Sequence, residues 1–186
     1  MNDDIQLIDE TLAGQSAAFG RLVTKYQDRL YNTLVHVTGC FDEARDVVQD
    51  AFVQAYTKLG TFQRQSAFYT WLYRIAFNVA IGRKRRRRAA LSTDRQRDEL
   101  GWEPVAHDGD PNEPLESAER VAMVRRAMDM LAEEFRTVLV LREIDGYCYE
   151  TIAEMLELPI GTVRSRLHRA RSELKQHLSV WIRDEH

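Results

Sequence analysis

The stretch YETIAEMLELPIGTVRSRLHRARSELKQHL, residues 149–178, decides the fold. Its pattern predicts a short helix from Tyr149 to about Leu156, a tight break at Glu157-Leu158-Pro159 and a longer helix from Ile160. Two helices joined by a three- or four-residue turn are the grammar of a helix-turn-helix. In the second helix Val163, Leu167, Ala170, Leu174 and Leu178 recur at three- and four-residue steps and form the apolar stripe. Arg164, His168, Arg171 and Lys175 run along another face, with Arg169 beside them. A solvated charged face would carry acidic residues as i,i+4 partners. From Ile160 to Ser172 there are none. A helix fits the major groove, where arginine grips guanine O6 and N7 with two bonds and neighbouring arginines neutralise phosphates. The pattern therefore favours DNA over solvent as the partner of this face.

That basic face belongs to an acidic chain, with formal net charge −3 over 186 residues. The charge is segregated. Residues 83–97 hold eight basic side chains against one acidic, and residues 98–119 hold eight acidic and no Lys or Arg. Such blocks mark interaction surfaces or tails. The segment 89–118 also loses helical periodicity and collects Pro104, Pro111, Pro114, Gly101 and Gly109. It reads as a linker between a domain over 1–88 and a second over 119–186. With four prolines, nine glycines and helical periodicity nearly throughout, the expected fold is all-α: two small helical domains and a flexible linker.

In the second domain Val121, Val124, Met128 and Leu131 form one predicted stripe, and Val138, Leu139 and Leu141 begin the next helix. In the first domain Phe19, Leu22, Val23, Tyr26, Leu30 and Leu34 define an amphipathic helix. Asp42 is the expected N-cap of another, whose apolar face carries Val47, Val48, Ala51, Phe52, Ala55 and Leu59. A third is expected from near Ser66, with Phe68, Trp71, Leu72, Ile75 and Val79 on one side. Tyr69, Tyr73, Phe77, Arg74 and Asn78 fall on the other, so this helix needs a second partner, a helix or a ligand.

Several function classes are disfavoured. No apolar run is long enough to span a bilayer, and MNDDIQLIDE lacks a basic region followed by an apolar core, so a cytoplasmic location is expected. Cys40 and Cys148 lie far apart, without CxxC spacing. His36 and Cys40 stand four residues apart, but two metal ligands without companions are incidental in most helices. Neither an HExxH motif nor a phosphate-binding glycine loop occurs, so enzyme, metal and cofactor readings have little support.

Three motifs carry a resemblance. YETIAEML (149–156) followed by PIGTVRSRLHRAR (159–171) resembles region 4 of bacterial extracytoplasmic-function sigma factors of the sigma-E type. SAFYTWLYRIAFNVA (66–80) and EARDVVQDAFVQAY (43–56) are similar to region 2 of the same family. The resemblance implies a non-catalytic transcription initiation factor. Its partners would be core RNA polymerase (β′ clamp helices and β flap), promoter DNA and an anti-sigma factor, with no small-molecule substrate.

It also implies residue roles. Asp46, Gln49, Asp50 and Val53 would dock on the β′ clamp helices; the residue types alone fit a solvated acidic face equally well. Phe62, Arg64, Ser66, Ala67 and Phe68 would capture the non-template strand of the −10 element, although Phe68, like Trp71, suits the core. Tyr69, Tyr73, Arg74 and Asn78, continuing into Arg83 and Arg85, would supply the aromatic, amide and cationic groups that single strands need. Thr162, Arg164, Ser165, His168 and Arg169 would contact the −35 element, and Arg166, Arg171 and Lys175 its phosphates. Glu150 is expected to serve its helix start and core-side packing. The acidic linker would either mimic nucleic acid in the polymerase channel or act as an ordinary tether.

Two positions depart from the family pattern. Gly82 stands where an acidic residue is common, leaving the local helix end open, and His168 replaces an aromatic. The rival reading is a helix-turn-helix regulator acting without polymerase. It leaves Phe62–Arg88 and the Asp46 face unexplained and would require a dimer.

Overall fold

The computed structural model describes residues 2–93 and 115–184. Among these every regular element is helical: α1 (Asn2–Leu12), α2 (Ser16–Thr38), α3 (Phe41–Lys58), a 3₁₀ turn (Leu59–Thr61), α4 (Phe68–Thr93), α5 (Leu115–Asp129), α6 (Glu133–Leu139), a π-helical turn (Val140–Ile144), α7 (Tyr149–Leu156) and α8 (Ile160–Asp184). The chain forms two compact units, dividing between α4 and α5. α4 runs through the arginine run and α5 begins at Leu115, so the helices extend past the expected limits of 88 and 119. The acidic linker lies, as far as Pro114, outside the described residues.

In the N-terminal unit α2 packs on α3, α3 on α4, and α1 across α2. Leu22, Leu30 and Leu34 of α2 are fully buried, each contributing roughly 2 kcal/mol of transfer energy. Gly39 stops α2 with φ 73°, its N–H donating to the Val35 carbonyl at 2.9 Å. Cys40, extended, then precedes α3. Asp42 is not the N-cap. It sits in the first turn with Glu43, where a carboxylate meets the positive helix end without a capping bond. Gly82 does not end α4, which continues eleven residues beyond it.

Helix α1 adds an element beyond those the sequence pattern predicts. Leu7 and Ile8 bury its inner face, and a polar clip fastens it to α2. Lys25 Nζ donates to Asp4 Oδ1 at 2.5 Å and Tyr26 Oη to Asp4 Oδ2 at 2.6 Å. Burial, the largest influence on Asp4, opposes its charge, but hydrogen bonds from Lys25 and Tyr26 outweigh it and hold the carboxyl below 3.8. Burial, and then the Asp4 carboxylate, push the Tyr26 phenol up to about 12.

In the C-terminal unit α8 packs on α6 and α5. Val163, Leu167 and Ala170 are buried, as are Val138, Leu139 and Leu141. The predicted stripe is only half buried: Met128 and Leu131 are inside, whereas Val121 and Val124 are exposed, and Ala127 is buried in addition. The helix-turn-helix matches its expected limits. Glu157 takes the left-handed conformation (φ 54°), and the Leu158 N–H returns to the Ala153 carbonyl at 3.0 Å, closing α7 in a Schellman arrangement. Pro159 then lends its carbonyl to the N–H groups of Thr162 (2.8 Å) and Val163 (3.2 Å), opening α8.

The depressed Asp4 carboxyl makes α1 docking sensitive to acid. Its contribution is complete above the unfolded value near 3.8 and is lost as pH falls through the lower folded one. Asp4→Asn is expected to lower the melting temperature clearly at pH 7 and by less near pH 3. An equal gap at both pH values would contradict the clip.

Candidate nucleic-acid interface

The apolar stripe of α8 lies against α6, so the register of the helix determines which side chains point away. At 3.6 residues per turn, Arg166 falls just to one side of the Val163–Leu167–Ala170 stripe and Arg171 just to the other. Both are turned back onto the α6 segment. Arg166 Nη2 donates to Glu134 Oε2 at 3.0 Å. Arg171 donates to Glu143 Oε1 through Nε at 3.0 Å and Nη2 at 2.5 Å. The bond to Glu143, aided by Tyr149, holds the Arg171 guanidinium above its ordinary pKa. The guanidinium groups of Arg166 and Arg171, both expected on phosphates, are engaged in this structure by carboxylates from 32 and 28 residues upstream.

The π-helical turn places Glu143. Its i→i+5 bond, Asp145 N–H to the Val140 carbonyl at 3.0 Å, accommodates an extra residue in the turn that carries Glu143 and Arg142. Arg142 Nη1 donates to the Tyr147 carbonyl at 2.8 Å, and its guanidinium lies 5.1 Å from the centre of the Tyr149 ring. This ties the turn to the start of α7. Glu150 is exposed, so its expected core-side packing is not found. It does serve the helix start: its own backbone N–H, then the Cys148 side chain, with Arg164 and Arg142 nearby, pull its carboxyl below 4.5.

Arg164, Ser165, His168, Arg169 and Lys175 are exposed, with Thr162 partly so. Arg164, His168 and Arg169 form no salt bridge among the described residues. The helix thus presents a polar, cationic outer face bordered by two pinned arginines.

The second basic region is rearranged more deeply. Tyr69 and Tyr73, expected on an open face of α4, are 4% and 0% exposed. The Arg29 guanidinium of α2 covers the Tyr69 ring at 4.4 Å, and the Tyr26 ring lies 5.6 Å away. The second partner that this helix needs is therefore protein for both tyrosines, and neither ring face is open to a base. Phe68 is buried, as the core reading required. Trp71 is not: it remains partly exposed and packs on Phe62 at 5.2 Å, with Phe68 behind them. Phe62 and Trp71 together leave a partly exposed aromatic surface beside the loop. Trp71 lies at the border of the apolar face of α4, which leaves its ring partly exposed.

Beside this pair the loop carries Ser66, partly buried, and Ala67, exposed. Arg64 has φ 59° and pairs with Asp9 of α1. Asn78 and Arg85 are exposed on α4, and Arg74 is partly buried. Arg83 is held by Asp50 and Asp46, which raise its pKa further. It is therefore engaged within the fold, whereas Arg85 forms no ion pair among the described residues. Gln49 and Val53 of α3 are exposed, Val53 at 62%.

Known proteins align with both units. The family model for sigma-70 region 2 matches residues 22–90, and that for sigma-70 region 4 matches residues 122–174. The RNA polymerase sigma-H factor of Pseudomonas aeruginosa is 38% identical, the alignment covering 97% of this chain and 96% of that protein. The ECF RNA polymerase sigma-E factor of Escherichia coli K12 is 36% identical over the same shares. Among solved structures, the sigma factor RpoE bound to the anti-sigma factor NepR from Bartonella quintana superposes with TM-score 0.72 at 26% identity, over 87% of this chain and 97% of that one. CnrH in complex with the cytosolic domain of CnrY gives 0.67 at 28%, over 96% and 98%.

Glu143→Gln removes the carboxylate that neutralises Arg171. Non-specific duplex affinity is expected to rise, with the slope of log K against log salt steeper by about 1. An unchanged slope would show that Arg171 already leaves Glu143 when DNA is bound.

Proposed function

This chain belongs to the extracytoplasmic-function group of the sigma-70 family, and from that membership we propose the work of its individual surfaces. It is a transcription initiation factor that binds core RNA polymerase and directs it to promoters. The carrying observation is the coexistence of both family regions in one chain, matched along nearly its whole length by named sigma factors. A lone helix-turn-helix regulator would not require residues 22–90 to match region 2.

The outer face of α8 reads the −35 element. Arg164, Arg169, His168, Ser165 and Thr162 meet the groove, while Lys175 grips phosphate; Arg166 and Arg171 chiefly hold the helix in its angle. The −10 strand is received by the loop from Phe62 to Ala67 and by Trp71, Arg74, Asn78 and Arg85. Unstacked bases need an exposed aromatic and its backbone needs cations. Asp46, Gln49, Asp50 and Val53 dock on the β′ clamp helices, and the C-terminal unit engages the β flap. The chain acts in the cytoplasm, carries out no catalysis and needs no cofactor. An anti-sigma factor is its inhibitory partner, a reading supported by the similar chains solved with NepR and with the cytosolic domain of CnrY.

Run-off transcription with purified core polymerase on a promoter library tests the assignment: defined start sites should appear only with this chain present. Within that assay Arg169→Ala is expected to relax selectivity at one base step of the −35 element, costing about 1–3 kcal/mol. Equal loss on every sequence would remove Arg169 from base reading.

A further inference from the structure

Two functional surfaces expected from the sequence, one for protein and one for DNA, meet in a single ion cluster. Asp46 and Asp50 stand one turn apart on α3, and Arg83 of α4 lies over both. Its Nε and Nη2 donate to Asp50 Oδ2 at 2.9 and 2.7 Å, and its Nη1 donates to Asp46 Oδ2 at 2.8 Å. One turn further along each helix, Arg87 approaches Glu43 at 3.9 Å. All three donors end on one oxygen of each aspartate. Oδ1 of Asp46 and Oδ1 of Asp50 take no bond from Arg83, and the two side chains remain 59% and 43% exposed.

We infer that Arg83 is a positioning residue of the polymerase-docking face: it sets Asp46 and Asp50 as a preformed pair of acceptors whose free oxygens receive cations from a partner helix. The inference rests on the docking role proposed above for α3. Left alone, two carboxylates one turn apart repel each other and sample several rotamers, and both costs fall on the docking step. A guanidinium is suited to suppress them, because its planar fork fixes several donor directions at once, which an ammonium cannot do. Arg83 also cancels one negative charge, which weakens long-range attraction. At this exposure that loss is small, since salt screens charges beyond roughly 8–10 Å. Orientation at contact is therefore the larger effect.

The test uses the full chain and purified core polymerase, with two readouts. One is the dissociation constant for polymerase; the other is promoter affinity of holoenzyme formed at saturating chain. Arg83→Ala is expected to weaken polymerase binding about tenfold, with Arg83→Lys between it and wild type. Promoter affinity at saturation should not change, and thermal melts should show both variants folded. Should Arg83→Ala bind polymerase as well as wild type or better, or should it lower promoter affinity at saturation, the inference is overturned; the latter result would make Arg83 a DNA contact. Asp46→Asn and Asp50→Asn separate the two levels. If both weaken polymerase binding while Arg83→Ala does not, the docking face stands and the role of Arg83 fails. If neither aspartate matters, the docking reading fails, and the inference with it.

Discussion

The burial of one narrow stripe on α8, Val163–Leu167–Ala170 against α6, determines which of its cations face outward. Arg166 and Arg171 flank that stripe and are drawn inward by Glu134 and Glu143. Arg164, His168, Arg169 and Lys175 are left on the far side. A helix dense in arginine thus becomes a surface with an orientation. The same device recurs in the N-terminal unit, where Asp46 and Asp50 hold Arg83 while Arg85 projects outward. An acidic chain can in this way offer a few chosen cations to nucleic acid.

These ion pairs do not hold the units together. Exposed pairs contribute about 0–1 kcal/mol each, whereas a core leucine truncated to alanine costs roughly 2–5 kcal/mol. Their work is directional. A guanidinium held by a carboxylate has chosen its rotamer, and the helix bearing it resists rolling about its axis. The π-helical turn has the same purpose, since it aims Glu143 at Arg171 and Arg142 at Tyr149.

What was legible in the sequence was local. The turn at Glu157-Leu158-Pro159 and the start of α8 could be read because proline placement and three- and four-residue spacing are short-range signals. The all-α class followed from the same periodicity. The acidic partners of α8 were invisible: a search for i,i+4 companions cannot find Glu134 or Glu143 on another helix. Tyr69 and Tyr73 misled for a related reason, because a polar-aromatic face looks open until α2 brings Arg29 and Tyr26 against it. Helix α1 escaped notice because part of its attachment is the polar clip at Asp4, which apolar periodicity does not register.

The central claim is that carboxylates within the fold divide the arginines and lysines of α8 into those that steady the helix and those that meet DNA. It is tested most directly by the salt dependence of −35 element binding by holoenzyme carrying either Lys175→Ala or Arg166→Ala. The account predicts a slope of log K against log salt reduced by about 1 for Lys175→Ala and unchanged for Arg166→Ala. The reverse pattern, with Arg166 setting the slope and Lys175 indifferent, would contradict it.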